Sequence, residues 1–278
     1  MWQRFVRDRV ALAALLVTAL ILIFSLGAPL VSQFVTHRGY ADQVLLDRFT
    51  PPFTDGYILG ADNLGRDELT RLAYGGRISL AVALLATLSA LTIGVGFGAA
   101  AGYVGGWCDA LIMRVTDVFL AIPVLVLLLF LASLHTFGPV SLALVIAGVS
   151  WMSLARLVRA EVLSLRQRDF VDAARVAGAS DWRIVRRHLL PQAAPLIIVW
   201  ATLTVPSFII VEATLSFLGL GIQVPLPSWG NMLNDAQKFY AQSWTLALIP
   251  GLAIYITVLA ITLVGQGLRD ALDPRQRR

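Results

Sequence analysis

Residues 168–182, with the sequence RDFVDAARVAGASDW, predict a helix, a turn and a second helix. Gly178 fits the position just beyond the first helix, because glycine takes the left-handed backbone conformation without a Cβ penalty. Ser180 is placed to cap the second helix, with Asp181 in its first turn. Further along, Pro191 predicts the next break, since proline has no backbone N–H. The stretch therefore predicts a short helical hairpin.

The first helix of this hairpin is amphipathic. Its small and apolar side chains recur at helical spacing on one face, and its charged side chains lie mostly off that face. The apolar face contains Phe170, Ala173, Ala174 and Ala177. A short amphipathic hairpin between hydrophobic blocks suits docking against another protein or lying on a membrane surface.

Outside the hairpin the chain is strongly apolar. Of its 278 residues, 58% are hydrophobic and only 14% are charged, whereas a soluble domain carries about 25% charged residues. Several long stretches contain no charged residue, and each reaches the roughly 20 residues that cross a bilayer. These stretches are 10–36, 78–108, 118–155, 189–211 and 239–268.

The apolar stretches predict an all-α membrane protein with six transmembrane helices. Stretch 118–155 is long enough for two spans, and the Phe-Gly-Pro sequence at 137–139 supplies the break between them. Pro123 predicts a kink in the third span. The first span is longer than the core of a typical signal peptide, so we expect it to be retained. The predicted helices are 10–31, 80–102, 118–136, 140–157, 196–218 and 245–265.

The distribution of basic residues predicts the orientation. Six spans place both termini on one side of the membrane. If that side is the cytoplasm, sixteen of the 22 Lys and Arg residues lie inside and six outside, as the positive-inside rule requires. The net charge of +5 then reflects topology. Nucleic-acid binding is disfavoured, because no basic domain with interleaved stacking aromatics is present.

The hairpin resembles a loop found in the permease subunits of ATP-binding-cassette (ABC) importers, in which Glu-Ala-Ala is followed by a glycine and later by Leu-Pro. Asp172 stands where that loop usually has Glu and keeps its charge, and His188 replaces an apolar Ile. The resemblance implies a type I ABC-importer transmembrane domain whose cytoplasmic coupling helix engages an ATPase. The implied coupling residues are Asp172, Ala173, Ala174, Gly178, Ser180, Arg183, Leu190 and Pro191.

Four further stretches resemble permeases of the dipeptide/oligopeptide/nickel subfamily. They are GADNLGRDELTRL at 60–72, ATLSFLGLG at 213–221, PSWGNML at 227–233 and GLRDALDP at 267–274. Ala61 and Gln266 depart from the usual Thr and Asp. The resemblance covers nearly the whole chain. It implies an N-terminal helix, first span and outer loop at 1–74, a permease domain at 75–267 and a cytoplasmic tail at 268–278.

The resemblance also implies partners and a location. We expect a homologous second permease, two cytoplasmic ABC ATPases and an extracytoplasmic solute-binding protein, assembled in the lipid of the bacterial inner membrane. ATP hydrolysis belongs to the partners, because the only lysine, Lys238, follows Gln237 and forms no Gly-Lys phosphate loop. We expect no cofactor on this chain. Di- or oligopeptides are the expected substrates, with nickel or a nickel chelate as the alternative.

Four glycines in and after the second span recur at every fourth position. They are Gly94, Gly98, Gly102 and Gly106. Residues four apart form one ridge of a helix, and small residues on such a ridge let another helix approach closely. The sequence therefore predicts tight helix packing along this ridge.

Two groups of acidic residues allow alternative interpretations. Asp62, Asp67 and Glu68 suggest a cation site, but pairing with neighbouring arginines in a charged interfacial helix is favoured. Glu212 lies within the fifth span, where a carboxylate is costly and by default suggests a place on the translocation path. The favoured alternative for Glu212 is a hydrogen-bonded carboxyl group that locks two helices together.

No catalytic or metal-binding set is recognisable. His37, His135 and His188 are far apart in sequence and predicted depth, and neither a nucleophile–base set nor a zinc-ligand spacing can be assembled. We therefore predict that the chain is not an enzyme. An intramembrane enzyme and a self-sufficient channel or secondary transporter remain as disfavoured alternatives of other classes. Secondary transporters often contain internal repeats, and we find none.

Overall fold

The computed structural model describes residues 8–272. Throughout this range the regular elements are helices, and five of them are long and apolar enough to cross a membrane, or six if one bent pair counts as a span. In chain order the helices are α1 (Arg9–Leu26), α2 (Glu68–Val104), α3 (Gly106–Leu120), α4 (Val124–Leu134), α5 (Pro139–Arg166), α6 (Asp169–Val176), α7 (Asp181–Ile184), α8 (Leu190–Phe217), α9 (Trp229–Lys238) and α10 (Thr245–Leu272). Shorter helical turns cover Ala28–Leu30, Val31–Thr36, Leu45–Asp47 and Val185–Leu189.

Several helices extend beyond the apolar stretches that predict them. Helix α2 begins at Glu68, twelve residues before the predicted span, because the Asp67 side chain accepts a hydrogen bond from the Thr70 backbone N–H at 2.7 Å and caps the helix. The first residues of α2 are partly polar, so an apolar stretch in the sequence does not predict that the helix begins at Glu68. The five long helices nevertheless contain the predicted spans or overlap them.

The prediction of one kinked helix over 118–136 is wrong. Helices α3 and α4 meet at an angle of 83° across a three-residue break, and α4 has only 11 residues. Pro123 stands at the start of α4 with an extended ψ of 120°. Proline cannot donate a helical hydrogen bond and disfavours the helical conformation of the residue before it. The result is a break instead of a kink, and 106–117 form a helix that hydropathy did not predict.

The most extensive packing between two helices joins α2 to α5. A Cβ atom added at Gly94, Gly98 or Gly102 would come within 2.9, 2.6 and 2.8 Å, respectively, of a carbonyl oxygen of α5. The prediction that these glycines admit a neighbouring helix is confirmed. Gly106 does not take part, because it begins α3, has a φ of +54° and has nothing within 4 Å of a hypothetical Cβ.

The apolar side chains form two buried clusters. The larger one lies among α2, α4, α5, α8 and α9, and the smaller one lies near the Val104 end of α2. The smaller cluster joins α2 and α5 to the hairpin formed by α6 and α7. Its buried members are Ala99, Tyr103, Leu154, Val158, Val162, Leu165, Val171, Ile184 and Leu189.

A buried group of charges lies at the Glu68 end of α2, and we call Asp62, Arg66, Arg71 and Asp235 the charge cluster. Asp62 Oδ2 lies 2.5 Å from Arg66 Nε and 3.5 Å from Arg71 Nε. Asp235 Oδ2, on α9, lies 3.2 Å from Arg66 and 3.5 Å from Arg71. Pairing with arginines is thus confirmed for Asp62. Within residues 8–272 no ion pair joins Asp67 or Glu68 to an arginine, and 60–67 form turns instead of a helix. Among residues 8–272, no group of three or more His, Cys, Asp or Glu side chains is arranged to hold a metal ion.

Candidate functional site

The turn between α6 and α7 is built around Gly178. Gly178 has a φ of +78°, and its N–H donates to the Arg175 carbonyl at 2.9 Å. The Ala179 N–H reaches back to the Ala174 carbonyl at 3.0 Å. These two bonds form a Schellman motif, in which the residue beyond the helix adopts the left-handed conformation. Gly178 therefore occupies the position that the sequence predicts.

The predicted side-chain cap at Ser180 is not formed. Ser180 has the extended backbone of an N-cap residue, and its carbonyl accepts from the Ile184 N–H at 2.9 Å, but its hydroxyl makes no capping hydrogen bond. Helix α7 has only four residues. The carboxylate of its first residue, Asp181, accepts a hydrogen bond from the Tyr103 hydroxyl of α2, and this bond holds α7 in place. The contact attaches α7 to α2, and α7 has no side-chain cap.

The hairpin buries one side and exposes the other. Val171 and Ile184 are fully buried in the smaller cluster, and Ala174 is half-buried beside them. The opposite side is exposed and includes Val176, which is 91% exposed, and Trp182, which is 69% exposed. The predicted single apolar face is therefore divided, because one part packs against the protein's own helices and the other part is open.

The remaining hairpin residues lie on or beside the open side. Ala173, Ala177 and Arg183 are exposed. Asp172 is also exposed, and its carboxylate lies 3.2 Å from Arg175 Nη1. The open side therefore combines small, apolar and charged side chains.

The expected break at Pro191 is wrong. A continuous helical segment runs from Asp181 to Phe217. It contains a π-helical stretch, Val185–Leu189, directly before α8. Proline normally clashes with the carbonyl four residues before it, and a wider π turn relieves such a clash. Leu190 and Pro191 thus begin α8 and connect the hairpin rigidly to a membrane helix.

Glu212 lies apart from the hairpin in the middle of the fold. Its side chain is fully buried and accepts hydrogen bonds from Ser79 Oγ at 2.6 Å and from Ser216 Oγ at 2.7 Å. Ser79 Oγ in turn accepts from the Trp229 N–H at 3.3 Å. The carboxyl group therefore connects α8 with α2 and with the start of α9. This geometry favours a locking function over a place on the translocation path.

Two groups of polar contacts near the hairpin were not predicted. Tyr103, near the end of α2, contacts the hairpin through Asp181. Arg159 of α5 makes two hydrogen bonds to Asp109 of α3, one of them from Nη2 to Oδ2 at 2.5 Å, and Arg156 makes one to Asp117 Oδ1. Asp109 and Asp117 on one helix and Arg156 and Arg159 on the other were the available signal, but the paired residues lie about 40 to 50 positions apart in sequence.

Comparison with protein families agrees with this architecture. Residues 94–278 match the family described as binding-protein-dependent transport system inner membrane component. Residues 1–52 match the N-terminal transmembrane domain of oligopeptide transport permease C. The chain belongs to the ABC-importer permease family. Permeases of this family are multi-pass proteins of the bacterial inner membrane and work with ATPase and other subunits.

Similar proteins carry peptide-related names. The glutathione transport system permease protein GsiD of Pectobacterium atrosepticum is 40% identical over 99% of this chain and 90% of its own length. The dipeptide permease DppC of Bacillus subtilis is 39% identical over 100% of this chain and 85% of its own length. The oligopeptide permease OppC of Haemophilus influenzae is 38% identical, with coverages of 100% and 89%. This ABC permease therefore falls within the peptide/glutathione group.

A solved structure has the same fold. The MetNI methionine ABC transporter in an inward-facing conformation contains a chain that aligns with a TM-score of 0.55 and 21% identity, covering 73% of this chain and 96% of that one. The predicted all-α type I permease fold is thus confirmed.

Proposed function

We propose that this permease forms part of a path for di- and oligopeptides across the inner membrane. The observation that carries the proposal is its similarity, over nearly the full chain, to permeases named for dipeptides, oligopeptides and the tripeptide glutathione. A peptide path must admit many side chains, and membrane helices with few buried charges suit such a path. Nickel or a nickel chelate is the alternative substrate.

The proposed assembly contains a homologous second permease, two cytoplasmic ATPases and an extracytoplasmic binding protein. Both termini and the hairpin lie in the cytoplasm in this arrangement, as the excess of arginine near them favours. The Val104 end of α2, the Arg166 end of α5 and the hairpin meet in one place, so assigning any one of them to the cytoplasm assigns all three.

The open side of the hairpin is the proposed docking surface for an ATPase. Val176 and Trp182 are large apolar side chains that water surrounds in the isolated chain, and exposed apolar side chains on a rigid helical element are suited to a groove on a partner. Gly178 shapes the turn, Ala173 allows close approach, and Arg183 can pair with acidic groups.

Transport then follows from movement of the hairpin. Closure of the ATPases on ATP would displace it, and the continuous segment from Asp181 to Phe217 would carry the displacement into the membrane. The helices would rock between inward-open and outward-open states, a known form of domain movement. ATP is bound by the partner subunits in this mechanism.

The substrate is tested with a strain that lacks this subunit and requires one amino acid. The deletion should block growth when that amino acid is supplied as a dipeptide or tripeptide, and the free amino acid should restore growth. Unchanged peptide uptake, together with a nickel-enzyme defect that excess nickel corrects, would favour the nickel alternative.

The docking surface is tested with Val176→Glu. A charge on this open side should prevent copurification of the ATPases while the permease remains in the membrane. Gln192→Glu is the matched control, because it places the same residue at another exposed position near the hairpin and should leave the ATPases bound. Normal ATPase binding by Val176→Glu would exclude this surface.

Orientation is tested with reporter fusions. A reporter after Trp182 should be active in the cytoplasm, and one near Pro227 should be active in the periplasm. The opposite result would reverse the assigned orientation and exclude an ATPase at the hairpin.

A further inference from the structure

Tyr103 occupies the junction between the membrane helices and the hairpin. It is the second-last residue of α2 and is 8% exposed. Its hydroxyl donates a hydrogen bond to Asp181 Oδ1 at 2.5 Å. Because Asp181 is the first residue of α7, this bond connects the end of α2 directly with the second arm of the hairpin.

The end of α5 approaches the same tyrosine. Arg166 Cζ, at the end of α5, lies 5.6 Å from the centre of the Tyr103 ring, within cation–π distance. One side chain of α2 therefore contacts both the second arm of the hairpin and the end of α5.

The other contacts of the hairpin are of a different physical kind. Val171 and Ile184 pack into the smaller cluster through apolar surface, and apolar attraction has no preferred direction. A hydrogen bond between a phenol and a carboxylate is short, strong and directional. The Tyr103–Asp181 bond is therefore suited to fixing the angle of the hairpin, whereas the apolar contacts keep it in place.

Tyr103 also lies next to the close glycine contact between α2 and α5. Gly102 and Gly98 hold α2 against the α5 backbone, with hypothetical Cβ atoms less than 3 Å from α5 carbonyl oxygens. Because the backbones are in direct contact at these glycines, with no flexible side chain between them, we expect the two helices to move together. A force that reaches Tyr103 is thus passed to α2 and α5 together.

We propose that Tyr103 is the positioning residue that converts movement of the hairpin into movement of the α2–α5 pair. This inference rests on the proposed function of the hairpin as the ATPase-binding element. Its content is separate, since it concerns transmission of the movement after docking and not docking itself.

The test is Tyr103→Phe in the complete transporter, reconstituted in vesicles with its binding protein and a dipeptide. The ring keeps its packing, and only the hydroxyl is lost. We expect normal membrane insertion and normal copurification of the ATPases. Peptide taken up per ATP hydrolysed should fall at least about fivefold. Tyr255→Phe, which removes a hydroxyl from a residue that is 63% exposed on α10, should leave this ratio unchanged.

Asp181→Ala is the second variant in this test. Asp181 is exposed, so its removal leaves the buried clusters intact and should lower the same ratio. In the double variant the loss should be no greater than in either single variant, because the two groups act through one bond.

The outcomes separate the two proposals. A normal uptake-to-ATP ratio in Tyr103→Phe or Asp181→Ala, or a loss of assembled permease in both, overturns the inference while Val176→Glu still tests docking. If Val176→Glu retains its ATPases, the docking proposal is overturned whatever Tyr103→Phe does.

Discussion

The two ends of α2 are held by polar groups in opposite ways. At the Glu68 end, Asp62, Arg66 and Arg71 are buried and face one another within the charge cluster. At the Val104 end, the hairpin exposes Asp172 and Arg175 to solvent. At one end acids and arginines pair with one another inside the chain, whereas at the other end charged and apolar side chains of the hairpin are exposed.

The difference has an energetic consequence. Removing one member of a buried ion pair leaves a charge without solvent or partner and costs about 3–5 kcal/mol. An exposed pair contributes only about 0–1 kcal/mol. Substitutions at the charge cluster should therefore affect the stability of the permease, and substitutions at the open side of the hairpin should affect transport.

The largest effect is expected for Arg71→Met in the charge cluster. It removes the guanidinium that lies 3.5 Å from both Asp62 and Asp235, and the expected loss of stability is about 3–5 kcal/mol. The amount of folded protein in detergent and its thermal midpoint should both fall. Arg175→Met, at the exposed pair, should leave both quantities nearly unchanged. Equal effects of the two variants would contradict the distinction between the ends.

A smaller effect is expected between the two ends, at the α2–α5 contact. A Cβ at Gly98 would lie 2.6 Å from the Ala155 carbonyl oxygen, so Gly98→Val should cost about 1–3 kcal/mol through overpacking. Gly96→Val is the matched control on the same helix, because nothing lies within 4 Å of a Cβ there. The thermal midpoints of the two variants provide the comparison. A midpoint as low for Gly96→Val as for Gly98→Val would show that glycine content, and not helix contact, determines stability.

Glu212 tests whether a buried polar group without ion pairs behaves like the charge cluster. Glu212→Leu leaves the Ser79 and Ser216 hydroxyls without their acceptor, and it should cost about 1–3 kcal/mol. Glu212→Gln retains one oxygen and the side-chain volume and should be mild. Assembly and uptake should both be measured. Intact assembly with altered uptake or substrate preference in Glu212→Gln would place this residue on the translocation path instead.

A small effect on stability is expected at Gly178. The site is open, with nothing within 4 Å of a hypothetical Cβ, but φ is +78°, and a non-glycine residue in the left-handed region costs about 1–2 kcal/mol. Gly178→Val should insert normally and abolish peptide uptake, because the turn changes shape. Gly178→Asn should retain much of the uptake, since Asn tolerates this conformation. Normal uptake by Gly178→Val would show that peptide uptake does not depend on the shape of this turn.

The sequence predicts local features of the fold more reliably than contacts between distant segments. Long apolar runs and the left-handed position of Gly178 depend on neighbouring residues, and the structure contains both. The sharp break at Pro123 depends on how α3 is held, and α3 is attached to α5 by Asp109 and Asp117, which sequence analysis did not pair with arginines.

The candidate site shows the same limit. The hairpin and its turn were predicted, but a side-chain cap at Ser180 was expected, whereas the structure fixes α7 through the Tyr103–Asp181 hydrogen bond. These two residues are 78 positions apart, and a tyrosine at the end of an apolar run is also typical of a membrane-interface residue. Only the folded chain shows that Tyr103 contacts the hairpin, because the sequence alone equally suggests a residue at the membrane interface.

Helix α2 has one mechanical property that follows from its length. Its 37 residues form a rod about 55 Å long at 1.5 Å per residue, which is well beyond the hydrocarbon thickness of about 30 Å. No proline interrupts it. If the rod pivots by about 5° around its middle, each tip moves by about 2 Å, in opposite directions. The charge cluster and Tyr103 thus lie at opposite ends of one rigid helix. A displacement of one end therefore produces an opposite displacement of the other end.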